Sequence, residues 1–261
     1  MNNYLIDHKN ESERLNFQNK IDICNLDEEL GHFTWNRNDY ILDAGCGNGN
    51  VIEKLVEMKM GKIHGIDFSL DRIKDAQKRF ENASGVSFSQ GSLEDTKVAD
   101  STYDTIVCRY IYEHLSNPKA VIKELNRVLK PGGMINIINF DDMVFNFYTK
   151  NEHFNRELKK IQERIPQDIQ IGRKLPQYLK QNNFDKVQWQ AQTYFFQGER
   201  LAMEVKNSQM RFEQGRENLA RYFDSISDYD RFVENYLNEL HDDCNVLSSN
   251  KYLIKARKCA E

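Results

Sequence analysis

The chain has 261 residues, of which 39 % are hydrophobic and 29 % charged, a composition that excludes a disordered or collagen-like polymer. Its 36 basic and 40 acidic side chains leave a net charge of -4, so it lacks the basic signature of a nucleic-acid backbone binder. No apolar run approaches the roughly 18 residues that cross a bilayer. The polar, acidic opening segment carries no signal-peptide core, so no membrane partner and a cytoplasmic location are expected.

Asn10 followed by Glu13 is a capping-box variant that predicts a helix through about Ile23. Tyr40-Ile41-Leu42 reads as a short buried strand ending at Gly45-Cys46-Gly47-Asn48-Gly49, followed by a helix with Val51, Leu55 and Met58. Lys62–Asp67 is a second strand. Ser69 then caps a helix predicted to bury Leu70, Ile73, Ala76 and Phe80. Val86–Gln90 and Tyr103–Cys108 are strands three and four, and Asn117-Pro118 opens a helix that stops at Pro131-Gly132-Gly133. Met134–Phe140 is a fifth strand. Strands alternating with helices predict a doubly wound, mostly parallel α/β sheet.

Beyond it, a short helix with Leu175, Tyr178 and Leu179 ends at Asn182-Asn183, where Asn can adopt the left-handed cap. Val187, Trp189, Ala191 and Thr193 alternate with glutamines, and Tyr252, Ile254 and Ala256 alternate with polar residues. These two strands add at one sheet edge, one of them antiparallel. Residues 143–165 and 199–243 read as helices, with Val233, Tyr236, Leu237 and Leu240 forming one stripe.

The five cysteines (Cys24, Cys46, Cys108, Cys244, Cys259) show no C-x-x-C pair, which argues against a disulfide framework and a zinc site. Asp141-Asp142 has no third ligand at a suitable spacing and reads as a solvated loop, so no metal is expected. The glycine cluster after strand one lets backbone approach a ligand, and the following helix N-terminus suits an anionic group. A dinucleotide fingerprint would place Gly where Asn50 stands, and Asp43 would repel a pyrophosphate; Asp43 suits a ligand with a positive group instead. Asp67, at the end of strand two, can accept both hydroxyls of a ribose.

D-A-G-C-G-N-G, G-I-D-F-S, Y-D-T-I-V-C-R-Y-I-Y-E-H-L-S-N-P and L-K-P-G-G occur here in the order seen in class I S-adenosylmethionine-dependent methyltransferases. The chain resembles most the small-molecule group that includes ubiquinone/menaquinone-type methylases, strongly over residues 40–140. Tyr4 and Glu13-Arg14-Leu15 are similar to an N-terminal helix of some relatives. The resemblance implies a Rossmann-like seven-stranded sheet, mostly parallel with one antiparallel edge strand, plus helical lid insertions. It implies S-adenosylmethionine as cofactor, with Asp43 and the backbone at Gly45, Cys46 and Gly47 facing the methionyl part. Asp67 would hold the ribose, Phe68 would lie beside the adenine, and Ser92 and Leu93 would edge the base. Relatives usually carry Asp where Ser92 stands, so Glu94 or a backbone carbonyl would take over that contact. Cys108 and Arg109 would border the methionine moiety. Arg14 suits either the cofactor carboxylate or a surface salt bridge.

His114 is the general-base candidate, because it follows strand four at the ligand-binding end and an unperturbed imidazole titrates near neutrality. A histidine held by structure is the other reading, since many methyl transfers need no base. Tyr110 and Tyr148 are assigned to the substrate. Phe145, Phe147, Tyr194, Phe195, Phe196, Phe212, Tyr222 and Phe223 read either as pocket wall or as core. The expected layout is an N-terminal cap (1–36), a cofactor-binding core (37–142), a helical insertion (143–170), sheet completion (171–194 and 246–258) and a lid (195–245).

No Asn/Asp-Pro-Pro-aromatic motif follows strand four and no Pro-Cys nucleophile occurs. Residues 199–243 hold 11 acidic against 6 basic side chains, which would repel a phosphate backbone. A small-molecule substrate methylated at O, N or C is therefore expected, with no nucleic-acid partner. A protein or RNA methylase, a non-catalytic S-adenosylmethionine-binding protein and an NAD-dependent oxidoreductase are the alternatives.

Overall fold

A computed structural model describes His8, residues 10–142 and residues 144–260; Tyr4 lies outside them. In chain order the elements are α1 (Glu11–Gln18), α2 (Leu26–Gly31), β1 (Tyr40–Ala44), α3 (Asn50–Glu57), β2 (Lys62–Asp67), α4 (Leu70–Arg79), β3 (Val86–Gln90), β4 (Tyr103–Arg109) and α5 (Pro118–Val128). There follow β5 (Leu129–Asp141), β6 (Phe147–Tyr148), α6 (Glu152–Arg164), α7 (Leu175–Gln181), β7 (Phe184–Phe195), α8 (Gly198–Leu219), α9 (Ile226–Leu240) and β8 (Val246–Lys258).

Side-chain caps start many of these helices. Asn25 accepts the Asp27 and Glu28 N–H groups, Ser69 that of Arg72, Asn117 that of Ala120, Asn151 that of Phe154 and Ser225 that of Asp228. Helix α1 is shorter than its periodicity predicts. Asn10 makes no side-chain cap bond, and the chain leaves the helix after Gln18 so that Ile21, Ile23 and Cys24 can enter the helical core. Asn183 adopts the left-handed conformation predicted for it, with φ of 60°.

The sheet runs β3-β2-β1-β4-β5-β8, with β7 outermost against β8. Strands β1 to β5 are parallel. Strand β8 is antiparallel to both its neighbours, so it is the reversed strand and β7 runs with the rest. The expected architecture holds, with the reversed strand one place in from the edge. The short β6 continues the sheet beside the start of β8, pairing Tyr148 with Val246.

Period-two alternation divides the sheet's two faces. Leu42, Ala44, Ile106 and Cys108 face α5 and α7 in one core, while Ile41 and Val107 face α2, α3 and α4 in another. A third core holds Phe154, Phe212, Phe232 and Tyr236 from α6, α8 and α9, covering the carboxyl end of the sheet. Leu70 departs from its prediction: at the first turn of α4 it misses the stripe carried by Ile73 and Ala76 and stays 45 % exposed. No helix among the described residues is long and apolar enough to cross a membrane.

Candidate active site

The carboxyl ends of β1, β2, β4 and β5 meet at one cavity of about 640 Å³, within the range of small-molecule sites. Its floor is the turn after β1. Gly45 has φ of 77° and lies so close to Ile111 that a Cβ would collide with the Ile111 Cγ2, so both conformation and space demand glycine. The Gly45 and Cys46 amides donate to the Ile66 carbonyl at 2.8 and 3.0 Å, pinning the turn to β2. Gly47, with φ of 52°, donates its N–H to Asp67 Oδ2 at 2.8 Å, and Ser69 donates to Oδ1 at the same distance. These bonds hold the Asp67 carboxylate at the cavity wall, beside Phe68. Ser92, Leu93 and Glu94 line the same wall, where Ser92 Oγ accepts the Glu94 N–H.

Cys46 contributes backbone only. Its thiol is turned into the core beside Gly65, and burial raises it well above its ordinary value. Asp43 is fully buried behind the turn, with Oδ2 lacking any hydrogen-bond partner. Burial first, and the nearby Asp67 charge second, raise its carboxyl to about 8. Helix α1 closes over the turn: Asn48 Nδ2 donates to Asn16 Oδ1 at 2.9 Å and to the Ser12 carbonyl at 3.3 Å.

Several assignments need correction. Cys108 shares its strand face with Ile106, so alternation buries it against Tyr112 in the α5 core, away from the cavity lining. Arg109 borders the cavity, but its guanidinium is engaged by the N-terminal segment: Nε donates to Glu29 Oε2 at 2.7 Å, and the terminal nitrogens to Asn19 and the Cys24 carbonyl. Arg14 is buried at the cavity wall, donating to Glu11 through Nε at 2.9 Å and to Asn207 of α8 at 3.3 Å, so it is no surface salt bridge. Tyr110 presents its ring to the cavity, stacks on Phe140 at 4.9 Å and gives its hydroxyl to Glu29. Tyr148 lies outside the cavity lining and is 63 % exposed, because in β6 it is Phe147 that turns inward onto Phe154 and Tyr236. Asp141 and Asp142 are buried, not solvated: they clamp Arg173, whose Nε lies 2.7 Å from Asp141.

His114 lines the cavity. Burial, reinforced by the Arg14 and Arg211 charges, lowers its imidazole to about 3, so it is neutral and weakly basic at pH 7 rather than poised near neutrality. Of the aromatics read as possible wall, Phe145, Phe212 and Phe223 line the cavity; Phe147, Tyr194, Phe195, Phe196 and Tyr222 do not. Phe140, Tyr229, Phe232 and Tyr236 complete the roof.

Two carboxylates escaped sequence reasoning. Glu29 sits in the acidic run Asp27-Glu28-Glu29, which resembles a solvated face, yet it is fully buried between Arg109 and Lys251. Glu113 precedes His114 and lines the cavity. Its Oε2 is buried without a hydrogen-bond partner, and burial raises the carboxyl to about 7. Its position after β4 was the available signal.

A methyltransferase-domain family model matches residues 36–199. The chain belongs to this family. It is 30 % identical over 125 residues to the malonyl-[acyl-carrier protein] O-methyltransferase of Halalkalibacterium halodurans, covering 46 % of this chain and 45 % of that one. It is 28 % identical over 131 residues to the ubiquinone biosynthesis O-methyltransferase of Pseudomonas syringae pv. syringae, covering 49 % and 54 %. These alignments thus span about half the length of the curated relatives. The fold matches Haemonchus contortus phosphoethanolamine N-methyltransferase 2, solved with S-adenosyl-L-methionine, at a TM-score of 0.56 and 18 % identity, covering 95 % of this chain and 52 % of that one. S-adenosylmethionine is the methyl donor of the class, and the residues present fit it. The Gly45–Gly47 backbone and Asp67 line the cavity, with Asp67 held by the Gly47 and Ser69 amides, whereas Asp43, expected to face the methionyl part, is buried behind the turn and outside the lining.

Proposed function

We propose that the chain transfers a methyl group from S-adenosylmethionine to a small, largely apolar acceptor held beneath the helical roof. One observation carries this reading: a single cavity runs from the glycine turn and Asp67 to Phe212, Phe232 and Tyr236. In this reading residues 37–142 bind the cofactor, residues 171–194 and 246–258 complete the sheet, and the cap (1–36), the insertion (143–170) and the lid (195–245) enclose the acceptor.

When bound, S-adenosylmethionine supplies a methyl group made electrophilic by its sulfonium. The Asp67 carboxylate accepts ribose hydroxyls, with its position set by the Gly47 and Ser69 amides. Phe68 lies beside the adenine, while Ser92, Leu93 and Glu94 edge the base. Asp43 contributes negative potential behind the methionyl end. The aromatic roof excludes water and orients the acceptor, and alignment of this kind lowers a barrier by about 7–11 kcal/mol in favourable cases.

Incubating the protein with methyl-labelled S-adenosylmethionine and a fractionated cell lysate tests the reading. Label is expected in the low-molecular-weight fraction. Label in protein or RNA instead would overturn the small-molecule assignment, and binding without label in any fraction would favour a non-catalytic role.

A further inference from the structure

The two edges of the sheet are treated differently. Strand β3 keeps its edge to five residues, a length that blunts pairing with another chain. Strand β7 presents a long one. After a bulge at Lys186, whose φ of 49° accompanies a register shift between Asp185 and Gln188, it runs unbroken along β8 from Gln188 to Phe195. That run, Gln-Trp-Gln-Ala-Gln-Thr-Tyr-Phe, has no charged residue and no proline, the residues that normally protect an edge. The Phe196 amide donates to the Leu247 carbonyl at 3.0 Å, so the backbone groups of Phe195 face away from β8, and by alternation so do those of Thr193, Ala191 and Trp189. Arg200 takes the Phe195 carbonyl at 2.8 Å, while the other three residues meet no second strand among the described residues.

The side chains of these four residues share the sheet face that α7 covers only as far as Lys180, whose ammonium lies 5.4 Å from the Trp189 ring centre. Trp189 is 52 % exposed and Phe195 51 %, and the same face continues to the paired Tyr148 and Val246, both exposed as well. No residue of β7 lines the cavity.

We propose that β7 is a dimerisation edge: a second copy of this chain pairs its own β7 antiparallel across a two-fold axis at Gln192, so that one sheet runs through both subunits. Opposed residues of an antiparallel pair share a face, so Ala191 meets the partner's Thr193 and Trp189 meets the partner's Phe195, each through outward-facing backbone groups. This register buries the two exposed aromatics as cross-strand pairs and sets Gln192 against itself, with no charged residue opposite another. Neutrality is what favours a second copy, because identical edges that carried charge would place like against like. Aromatic side chains bury about 150–250 Å² each when enclosed, so the exposed parts of Trp189, Phe195 and Tyr148 offer about 300 Å² of the roughly 800 Å² per partner in a standard interface. Val246, Ala191, Thr193 and the strand backbone extend that area.

Sedimentation equilibrium of the full chain at about 10–100 µM, where interfaces of modest affinity fill, should give twice the 30.8 kDa of one subunit. Ala191→Lys sets two ammonium groups beside the axis and should weaken dimerisation about 100-fold, with S-adenosylhomocysteine binding and the thermal midpoint of the monomer unchanged. The register has its own test. Opposed residues that share no backbone bond have Cα atoms about 4.5 Å apart, within disulfide reach, so Gln192→Cys should cross-link two subunits on mild oxidation. Gln188→Cys, which does not face its own copy, should cross-link no more than wild type. A monomeric wild type, a dimer that persists in Ala191→Lys, or equal cross-linking by the two cysteine variants would each overturn the proposal; the first would leave the edge to an extended segment of another protein.

Discussion

The floor and the roof of the cavity face each other across one volume but are built by different physics. At the floor, backbone does the work. Gly45 and Gly47 adopt positive φ, their amides bond to Ile66 and Asp67, and little freedom remains for other residue types. At the roof, Phe212, Phe232 and Tyr236 meet ring on ring, with centroids 5.3 to 6.5 Å apart. Contacts of that kind fill space without dictating residue identity, because cores tolerate apolar exchange when volume is kept. In the proposed function the floor would therefore specify the cofactor, while the roof would set only the size and polarity of the acceptor.

Substitutions can break that contrast. The largest effect is expected at Gly45→Ala, where left-handed strain and collision with Ile111 add to about 2–5 kcal/mol of lost stability, read as a lowered thermal midpoint. Phe232→Ala in the roof should cost about 3 kcal/mol of stability while leaving S-adenosylhomocysteine affinity within about twofold. A roof variant that abolished cofactor binding would erase the distinction. Asp67→Ala should show the reverse pattern, with cofactor affinity reduced by about 1.5–3 kcal/mol and stability less affected.

The smallest effect concerns protons. Asp43 is raised to about 8, so at pH 7 it is mostly protonated without a positive ligand. Cofactor binding should then release close to one proton, measured by calorimetry in two buffers of different ionisation enthalpy and lost in Asp43→Asn. The same raised carboxyl has a consequence for folding. Its stabilising contribution is complete below the unfolded value near 3.9 and is lost as pH rises through about 8. Asp43→Asn should therefore flatten the decline in ligand-free stability between those limits.

What could be read in the sequence follows the same division. The Gly45–Gly49 turn, Asp67, and the Ser69 and Asn117 caps are local devices: their meaning lies in residue type and spacing, and the structure places them as predicted. Cys108 was misplaced because motif position locates a strand end without telling which face a side chain takes; alternation put it in the core. Tyr148 lies outside the cavity because residues 147–148, where a helix is expected over 143–165, form a short strand that turns Phe147 inward. Glu29 and Lys251 were invisible because they lie 222 positions apart and only the folded chain brings them to 3.1 Å. His114 was found, but its basicity depends on Arg14 and Arg211 from distant helices, which spacing along the chain cannot report.

The central claim is that the glycine turn and Asp67 form an S-adenosylmethionine site. Isothermal titration of S-adenosylmethionine into wild type and Asp67→Ala, with folding checked for both, tests it most directly. One saturable site is expected in wild type, with an affinity about 10- to 150-fold weaker in Asp67→Ala. No binding to wild type, or equal binding by the two proteins, would contradict it.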